Sequence, residues 1–348
     1  MPKRASTIED VASIAGVSIK TVSRVVNREP NVRASTREKV EAAIAKLEYR
    51  PNPSARDLAS RRARLIVLVY DDPSAYEIPS AGYIIKMQEG ALRACRQEGF
   101  ELLIHPCDFR QKGIRDTLQT QLQQVRPSGI VLAAPLSNMP KIVDAVKATE
   151  TPYVRLSTGS RNSQEYEVAT NDRDISAEMT AYLASLGHKR IGFIKGDRTH
   201  KAVSNRFLGY QDGLEQSGLR YDVELVVEGD NSMGSGETCA EKLLSRKHPP
   251  TAIFAANDDM AVGVIRTASR LGLKIPEELS VAGCDDIALA QQIFPSLTTI
   301  RQPLRVMTET ASLALIGQSR GVAEKPGKET ISGTIEVRES TGPAPALH

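Results

Sequence analysis

The sequence has little cysteine and no long apolar run. Its cysteines form no Cys-x-x-Cys pair, and its five histidines form no pair at helical spacing, so a structural zinc site is not expected. No segment approaches the roughly 18 consecutive apolar residues that a membrane span requires. The basic N-terminus leads into no apolar stretch of a secretory signal. We therefore expect a cytoplasmic protein without membrane contact. The four cysteines, expected to be reduced packing residues, are Cys95, Cys107, Cys239 and Cys284.

The motifs of common nucleotide-binding and hydrolytic enzymes are also missing. No Gly-x-Gly-x-x-Gly follows the first predicted strand and no Walker loop is present, so dinucleotides and triphosphates would lack their phosphate cradle. No Gly-x-Ser-x-Gly elbow is present for a serine nucleophile. We expect no enzymatic activity, no cofactor and no metal.

Positive charge is concentrated at the N-terminus. Residues 1–64 contain 14 Lys/Arg against 7 Asp/Glu, a net charge of +7, and because the whole chain carries +3 the remainder carries −4. A basic segment of this kind is compatible with nucleic acid as a partner, although charge alone does not decide between DNA binding and a solvated tail.

Two short helices joined by a glycine turn are predicted within this basic segment. The pattern from Thr7 to Asp10 is a capping box, Gly16 can end the first helix, and Ser18 can cap the second. A solvated amphipathic helix is the alternative, but turn, cap and charge together favour a helix-turn-helix with its second helix in the major groove. The outward-facing residues around this second helix are Ser18, Lys20, Thr21, Ser23, Arg24 and Asn27.

A third helix and a short hinge follow. Ser35 to Glu38 forms another capping box, before a helix whose apolar residues repeat at three- and four-residue spacing. Asn52 and Pro53 then suit the start of a helix of about eight residues, which is too short to be stable alone in water. We expect this hinge to order only against a partner, and DNA is the natural candidate.

Residues 7–59 resemble the head of the lactose-repressor/galactose-repressor (LacI/GalR) family. The resemblance rests on Asp10-Val11-Ala12, Ala15-Gly16-Val17-Ser18, Thr21-Val22-Ser23-Arg24-Val25-Val26-Asn27 and Thr36-Arg37-Glu38-Lys39-Val40. It implies that Ile19, Lys20 and Arg24 select base sequence, and that Leu58 inserts into the minor groove at the operator centre. Phosphate contacts are implied for Ser18, Thr21, Ser23 and Asn27, and further DNA contacts for Thr7, Tyr49, Asn52 and Ala55. Pro53 departs modestly from the family pattern.

From Leu65 onward, short apolar runs alternate with longer amphipathic stretches. Two such series are present, the first from Leu65 to Val154 and the second from Ile191 to Gly283, followed by a helix near 304–316 and a strand near 329–337. Alternating strands and helices predict parallel sheets. We therefore predict two open α/β lobes, with the chain crossing between them more than once.

The body also resembles the effector-binding domain of the same family, which is itself similar to periplasmic sugar-binding proteins. The matching segments are Gly187-His188-Lys189-Arg190-Ile191-Gly192, Arg206-Phe207-Leu208-Gly209-Tyr210, Ala256-Asn257-Asp258 and Leu297-Thr298-Thr299-Ile300. The predicted fold is an all-α helix-turn-helix head plus a two-lobed periplasmic-binding-protein-like α/β domain with two parallel open sheets. The predicted domains are the head at 1–50, the hinge and linker at 51–62, and the effector-binding and dimerisation domain at 63–348, with an N-lobe at about 63–168 and 301–329 and a C-lobe at about 169–300 and 330–340.

Ligands of open parallel sheets sit beyond the carboxyl ends of the strands. Polar residues at such ends, from Asp71 to Asp286, are expected to converge on a cleft between the lobes. By resemblance, Ser157 departs from the family's usual aspartate, and Thr170 and Asn231 occupy positions where many members carry an aromatic ring. Arg, Asn and Asp side chains suit sugar hydroxyls. The expected effector contacts are Asp72, Ser157, Thr170, Arg206, Asn231, Asn257, Asp285 and Gln302.

The resulting hypothesis is a homodimeric, nucleoid-associated bacterial repressor of carbohydrate-utilisation genes, which binds a near-palindromic operator and responds to a small molecule. A sugar is favoured as effector because the pocket positions lack the aromatic sandwich that suits a purine. A purine- or metabolite-responsive co-repressor system is one alternative, and a solute-binding module without a DNA role is another. No heptad repeat follows the last predicted strand, which favours a dimer over a tetramer.

Overall fold

The structure is a computed structural model that describes residues 6–26, 32–47, 49, 63–72, 82–159, 165–322 and 327–346. The chain divides into two compact units, Met1–Ala63 and Arg64–His348. We call the first unit the head and the second the body. Within the described residues, no helix combines the length and the apolar character that a membrane crossing needs.

The head is a three-helix unit with a small aliphatic core. Its helices are α1 (Ile8–Ala15), α2 (Ile19–Val26) and α3 (Ala34–Leu47). Their apolar residues recur at three- and four-residue spacing, so each helix turns one stripe inward. The buried core is formed by valines and alanines, which leaves little apolar area to hold the unit together. These core residues are Val11, Ala12, Val22, Val25, Val40 and Ala43.

The predicted glycine turn and two of the three predicted caps are present. The Thr7 hydroxyl accepts from the Asp10 amide at 3.3 Å, and the Asp10 carboxylate accepts from the Thr7 amide at 2.8 Å. Gly16 has a left-handed φ of 65°, and Ser18 Oγ accepts from the Thr21 amide at 3.2 Å. The prediction of a cap at Ser35 is wrong. Helix α3 begins at Ala34, two residues earlier than a cap at Ser35 requires, so the backbone carbonyl of Arg33 accepts the first helical bonds instead.

The first lobe of the body, the N-lobe, contains a six-stranded sheet ordered β2-β1-β3-β4-β5-β11. The pairs β1–β2, β3–β4, β4–β5 and β5–β11 are parallel. Helices cover both faces, as parallel sheets require. The strands are β1 (Ala63–Asp71), β2 (Glu101–Cys107), β3 (Pro127–Leu132), β4 (Tyr153–Leu156), β5 (Glu167–Thr170) and β11 (Lys328–Ile331), and the helices are α4 (Gly82–Glu98), α5 (Ile114–Val125), α6 (Pro140–Lys147) and, late in the chain, α12 (Leu304–Ser319).

The second lobe, the C-lobe, repeats this arrangement with a sheet ordered β7-β6-β8-β9-β10-β12. Strands β6 to β10 pair in parallel, whereas β12 is antiparallel at the edge. The strands are β6 (Ile191–Lys195), β7 (Val226–Glu228), β8 (Ala252–Ala255), β9 (Ser280–Cys284), β10 (Thr298–Arg301) and β12 (Thr334–Glu336), and the helices are α7 (Asp172–Ser185), α8 (Lys201–Gln216), α9 (Met233–Leu244), α10 (Asp258–Arg270) and α11 (Ala288–Gln292).

The chain crosses between the lobes at three places, after β5, after β10 and between β11 and β12. Two of these crossings are tied together, because Asn171 Oδ1 accepts from the Gly333 amide at 2.9 Å and from the Thr170 hydroxyl at 3.3 Å. The single strand predicted near 329–337 is therefore wrong: Gly333 lies between two short strands that belong to different sheets.

Each sheet reverses its strand order at one point, and these points face each other. The reversal lies between β1 and β3 in the N-lobe and between β6 and β8 in the C-lobe. At a reversal, adjacent strands send their connections to opposite faces, which leaves a crevice at the carboxyl ends. The fold thus predicts a ligand cleft beside the residues that follow β1, β3, β6 and β8.

Candidate functional site

A cavity of about 160 Å³ lies at this position, between the two lobes. The N-lobe lines it with residues at the ends of β1, β2 and β3 and on α4: Tyr70, Asp71, Tyr83, Ile84, Met87, Phe109, Arg110, Ala134 and Pro135. The C-lobe lines it with residues that follow β6, β7, β8 and β9 and that begin α8: Asp197, Thr199, His200, Val203, Arg206, Asp230, Asn231, Asn257 and Asp285. Both lobes therefore contribute to one site.

Arg206 is the buried cation of this cavity, with only 3% of its surface exposed. Its Nε lies 2.9 Å from Asp172 Oδ1, and its Nη1 lies 2.5 Å from the Ala256 carbonyl and 3.6 Å from Asp285 Oδ1. Burial lowers the pKa of this guanidinium, but the surrounding acidic groups raise it further, so the net direction is upward. Arg206 therefore stays charged and holds a fixed orientation toward the cavity.

Asp285 faces Arg206 from the end of β9. Its backbone is left-handed, with φ at 128°, and its Oδ1 accepts a hydrogen bond from Gln302 Nε2. Burial raises the pKa of this carboxyl, and Arg206 opposes the rise. A carboxyl held in this way by Arg206 and Gln302 can still present its other oxygen to a ligand hydroxyl.

Asn257 and Asn231 form a second hydrogen-bonded pair in the cavity wall. Asn257 Nδ2 donates to the Asn231 carbonyl at 2.9 Å, while Asn257 Oδ1 caps α10 by accepting from Met260 at 3.0 Å. Asn231 has φ at 73° and its Oδ1 accepts from the Asp197 amide at 3.3 Å. Gly196 permits this contact, because a Cβ there would lie 1.9 Å from Asn231 Oδ1.

Three aromatic rings line the cavity, and sequence reasoning missed all three. Tyr70 is the last but one residue of β1, Tyr83 lies in the first turn of α4, and Phe109 follows β2 by two residues. The argument that the pocket positions lack an aromatic sandwich therefore overlooked three rings that line the cavity. Thr170 and Asn231, the positions where many family members carry a ring, are polar in this chain. The aromatic rings come instead from β1, from α4 and from the segment after β2. Applying the strand-end rule to β1 and β2 would have found Tyr70 and Phe109.

His200 is a further cavity residue that sequence reasoning missed. Its ring lies edge-on to Tyr83 across the cleft, with centroids 6.4 Å apart, and its Nδ1 is buried without a hydrogen-bond partner among the described residues. Burial, followed by the nearby Arg206, lowers the pKa of His200 to about 4, so the ring is neutral at pH 7. A buried, unpaired ring nitrogen is costly unless a ligand or water meets it.

Asp71 gives the N-lobe side of the cavity a titratable carboxyl. Burial raises its pKa to about 7, the neighbouring carboxylates Asp108, Asp197 and Asp72 add to the rise, and Arg110 opposes it. This carboxyl can therefore donate a hydrogen bond below about pH 7 and accept one above it.

Four of the eight expected effector contacts line the cavity, namely Arg206, Asn231, Asn257 and Asp285. The other four do not. Asp72 lies beyond β1, where its amide bonds to Cys107 of β2 at 3.4 Å, away from the strand reversal. Ser157 follows β4, one strand further out than β3, and Thr170 lies at a lobe crossing. Gln302 does not line the cavity, but its Nε2 donates a hydrogen bond to Asp285 Oδ1.

In the head, the side chains predicted to meet DNA are on the surface of α2. Ser18, Lys20 and Arg24 are exposed, Ile19 exposes 48% of its surface despite being apolar, and Thr21 and Ser23 are half-buried at the helix flank. Thr7 and Tyr49 are half-buried, and Tyr49 packs against the head core. The remaining expected DNA contacts, Asn27, Asn52, Ala55 and Leu58, lie outside the described residues, as does the predicted hinge at 51–62.

Comparison with known proteins identifies the family to which the chain belongs. The profile of the family described as bacterial regulatory proteins, lacI family, matches residues 7–52, and a periplasmic binding protein-like domain matches residues 180–341. The HTH-type transcriptional regulator DegA of Bacillus subtilis (strain 168) is 33% identical over 97% of this chain and 98% of DegA. The chain belongs to the LacI family.

Two solved structures of transcriptional regulators match almost the full length of the chain. The lac repressor dimer bound to operator and the anti-inducer ONPF is 29% identical, with a TM-score of 0.78 over 97% of this chain and 100% of that one. A complex of the transcriptional regulator CelR with cellobiose is 29% identical, with a TM-score of 0.72 over 96% and 99% of the two chains. The LacI-family protein described here is therefore a DNA-binding transcriptional regulator, and its relatives are regulators and not enzymes.

Proposed function

We propose that this regulator represses carbohydrate-utilisation genes in the cytoplasm, at the nucleoid, and that a neutral sugar in the inter-lobe cavity sets its operator affinity. The chemistry of the cavity carries the proposal. Arg206, Asp285 and Asn257 offer the paired donors and acceptors that suit neighbouring hydroxyl groups. The rings of Tyr70 and Phe109 in the cavity wall add apolar surface that suits the C–H side of a sugar ring. CelR, a protein similar to this chain, has been solved with cellobiose.

The charge of the cavity favours a neutral ligand over an anionic one. Asp71, Asp197, Asp230 and Asp285 line it, whereas its cations are the two arginines Arg110 and Arg206. Arg206 is already engaged by Asp172 and Asp285. A sugar phosphate or a uronate would therefore meet four carboxyl groups against two guanidinium groups in a site of low dielectric. The cavity is also smaller than the roughly 300–1,000 Å³ typical of drug-sized ligands, which favours one sugar ring over a longer saccharide.

We propose that the DNA-reading face consists of the exposed side of α2. The hydrogen-bonding groups of Lys20 and Arg24 suit guanine acceptors, and the exposed Ile19 suits a thymine methyl group. Effector binding would act on this face by favouring one lobe arrangement over another, since a ligand shifts an equilibrium only through its different affinity for the two states. The residues that connect head and body carry that coupling in our proposal.

We propose a homodimer, which would place two heads on the half-sites of a near-palindrome. The N-lobe supports this with apolar side chains on the outer surfaces of α4 and α12. Ile85 and Leu92 are seven residues apart on α4, and Val306 and Leu313 are seven apart on α12, so each pair shares one helix face, and all four are exposed. Sedimentation equilibrium of the full chain checks the dimer, and Ile85→Glu is expected to weaken it.

Thermal-shift screening of the full chain against neutral sugars, sugar phosphates and purine bases tests the effector class. A ligand that binds only the folded state raises the stability by about 2.7 kcal/mol at 100 times its Kd. We expect hits among neutral monosaccharides. Hits confined to sugar phosphates would contradict the charge argument.

The His200→Phe variant then tests whether the ligand occupies this cavity. Phenylalanine keeps the ring against Tyr83 but removes both ring nitrogens, so we expect weaker sugar binding without a loss of melting temperature. His248→Phe, at an exposed position of the same lobe, is the matched control and should bind normally. Equal affinity in the two variants would place the ligand elsewhere.

A purine co-repressor is the second candidate, and the three aromatic rings favour it. Tyr70, Tyr83 and Phe109 could stack on a purine as readily as on a sugar. Gel shifts with the operator distinguish the two, because an inducing sugar weakens the complex whereas a purine co-repressor strengthens it. The sign of the effect decides between the two functions even if both ligands bind.

A further inference from the structure

One lysine of the N-lobe reaches across the cleft to the C-lobe. Lys86, on α4, donates to the backbone carbonyl of Asp285 at 3.4 Å and to that of Asp286. One helical turn earlier, Gly82 lies so close to Ile287 that a Cβ at Gly82 would be 2.9 Å from Ile287 Cβ and Cγ2. The first turns of α4 therefore rest directly on the loop from Asp285 to Ile287.

The loop that Lys86 holds has an unfavourable backbone conformation. Asp285 and Asp286 are not glycines, yet their φ angles are 128° and 52°. Such residues keep these angles only where their surroundings hold them in place. Within the C-lobe, the Asp285 amide bonds to the Ile300 carbonyl at 2.8 Å, and the Asp286 carboxylate accepts from Arg301 at 2.7 Å. The backbone carbonyls of Asp285 and Asp286 accept from Lys86, which belongs to the other lobe.

The side chain whose position depends on this loop is the cavity carboxylate. Asp285 Oδ1 lies 3.6 Å from Arg206 Nη1 and accepts from Gln302, so a small rotation of the loop backbone would move it relative to the cavity. We propose that Lys86 is a positioning residue, which holds Asp285 in its effector-binding orientation when the two lobes are closed. This inference rests on the proposed role of the cavity as the effector site.

The arrangement makes α4 a link between the effector site and the outer surface of the N-lobe. Lys86 and Gly82 face the loop of the C-lobe, whereas Ile85 and Leu92 on the same helix are exposed. A change in lobe closure that breaks the lysine contact would therefore shift the helix that carries this exposed apolar face. Closure and the outer surface would be coupled through one rigid element.

Hydrogen exchange of the ligand-free full chain tests the proposal. Lys86→Met keeps the length of the side chain but removes its donors, whereas Lys86→Arg keeps donors for both carbonyls. We expect roughly 10-fold faster exchange in Lys86→Met, the change that corresponds to losing one charge-assisted hydrogen bond, confined to peptides covering 284–290 and the start of α4. Lys86→Arg should restore the slow exchange. Lys247→Met, at an exposed position of the C-lobe, is the control.

A second pair of variants tests the contact without touching the charge. Gly82→Ala places a methyl group against Ile287 and should speed exchange in the same peptides, because the helix must move away from the loop. Gly234→Ala, also in the first turn of a helix, has nothing within 4 Å of its added Cβ and should exchange normally. A positioning role requires that both Lys86→Met and Gly82→Ala act locally, with the global melting temperature nearly unchanged.

The proposal is overturned if Lys86→Met leaves exchange at 284–290 unchanged, or if exchange rises equally throughout the body. Because no ligand is present in this experiment, its outcome is separate from that of the effector screen. If Lys86→Met acts locally but no sugar or purine binds, the interlobe contact is supported and the effector hypothesis fails. If a sugar binds but Lys86→Met has no local effect, the effector hypothesis is supported and the positioning role of Lys86 fails.

Discussion

Replacing Arg206 with methionine removes a buried positive charge from between two buried carboxylates. Arg206, Asp172 and Asp285 are 3%, 5% and 6% exposed, so water cannot take over the role of the guanidinium. Methionine fills much of the same volume but donates no hydrogen bond. The Asp172 carboxylate, the Asp285 carboxylate and the Ala256 carbonyl would each lose a partner.

The expected cost follows from this geometry. Removing one partner of a buried ion pair destabilises a protein by roughly 3–5 kcal/mol, because the charge left behind is uncompensated. At about 2 °C per kcal/mol for a unit of this size, the melting temperature of the body should fall by about 6–10 °C at neutral pH. The loss cannot be attributed to a cavity alone, since the replacement is unbranched and flexible.

The pH dependence gives a second, independent signature. Burial raises the pKa of both Asp172 and Asp285, and Arg206 opposes the rise, so its removal raises both values further. A carboxyl with a raised folded-state pKa destabilises the fold above that pKa, and the penalty fades as the pH falls toward the unfolded value. The loss in Arg206→Met should therefore be larger at pH 8 than at pH 5.

Calorimetry of the ligand-free full chain measures both effects, with Arg173→Met as the matched control. Arg173 pairs with Asp212 between the same two helices, α7 and α8, but this pair is partly exposed, and we expect only a small change. The reasoning is refuted if Arg206→Met lowers the melting temperature no more than Arg173→Met does, or if its loss is greater at pH 5 than at pH 8.

Three further predictions concern the head and the cavity rim. Arg24→Ala should weaken binding to the preferred operator by roughly 10- to 100-fold in gel shifts, whereas Lys46→Ala, which removes the same charge from α3, should act weakly and without sequence preference. Val40→Ala should cost the small head core about 2 kcal/mol and abolish operator binding while the melting of the body stays unchanged. Asp71→Asn should raise stability at pH 8 but hardly at pH 5: the raised pKa of Asp71 makes the wild type lose stability from about pH 4 to 7, and asparagine removes that loss, as thermal melts will check.

Most of the head could be predicted from its sequence because its structure is set locally. Thr7 and Ser18 cap the helix that follows each of them, and Gly16 takes the left-handed turn between the helices, all within a few residues of chain. The failure at Ser35 has the same origin. A capping box needs a helix that starts immediately after its first residue, and the helix here starts at Ala34, two residues before the start that a cap at Ser35 requires.

The lobes could be predicted as alternating strands and helices, but not the division near residue 333. A run from Glu329 to Val337 has the composition of one strand, and only the positions of the two sheets require the chain to pass from one to the other at Gly333. Sheet membership depends on hydrogen-bond partners far away in sequence. A pattern of single residues carries no information about those partners.

The partial success at the cavity has a physical explanation in sheet order. The strand-end rule names every polar residue beyond a carboxyl end, yet the cleft opens only at and near the order reversals, beside the ends of β1, β2 and β3 in one sheet and of β6, β7, β8 and β9 in the other. Asp71 is the last residue of β1 and Asn257 follows β8, two strands that lie at the reversals, whereas Ser157 follows β4, one strand further out. Strand order is a property of the assembled sheet, so the rule applied to a sequence includes residues such as Ser157. Given the order, the same rule retains Asp71 and Asn257, brings in Tyr70 and excludes Ser157, while Phe109 after β2 and Asp285 after β9 line the cavity from the neighbouring strands.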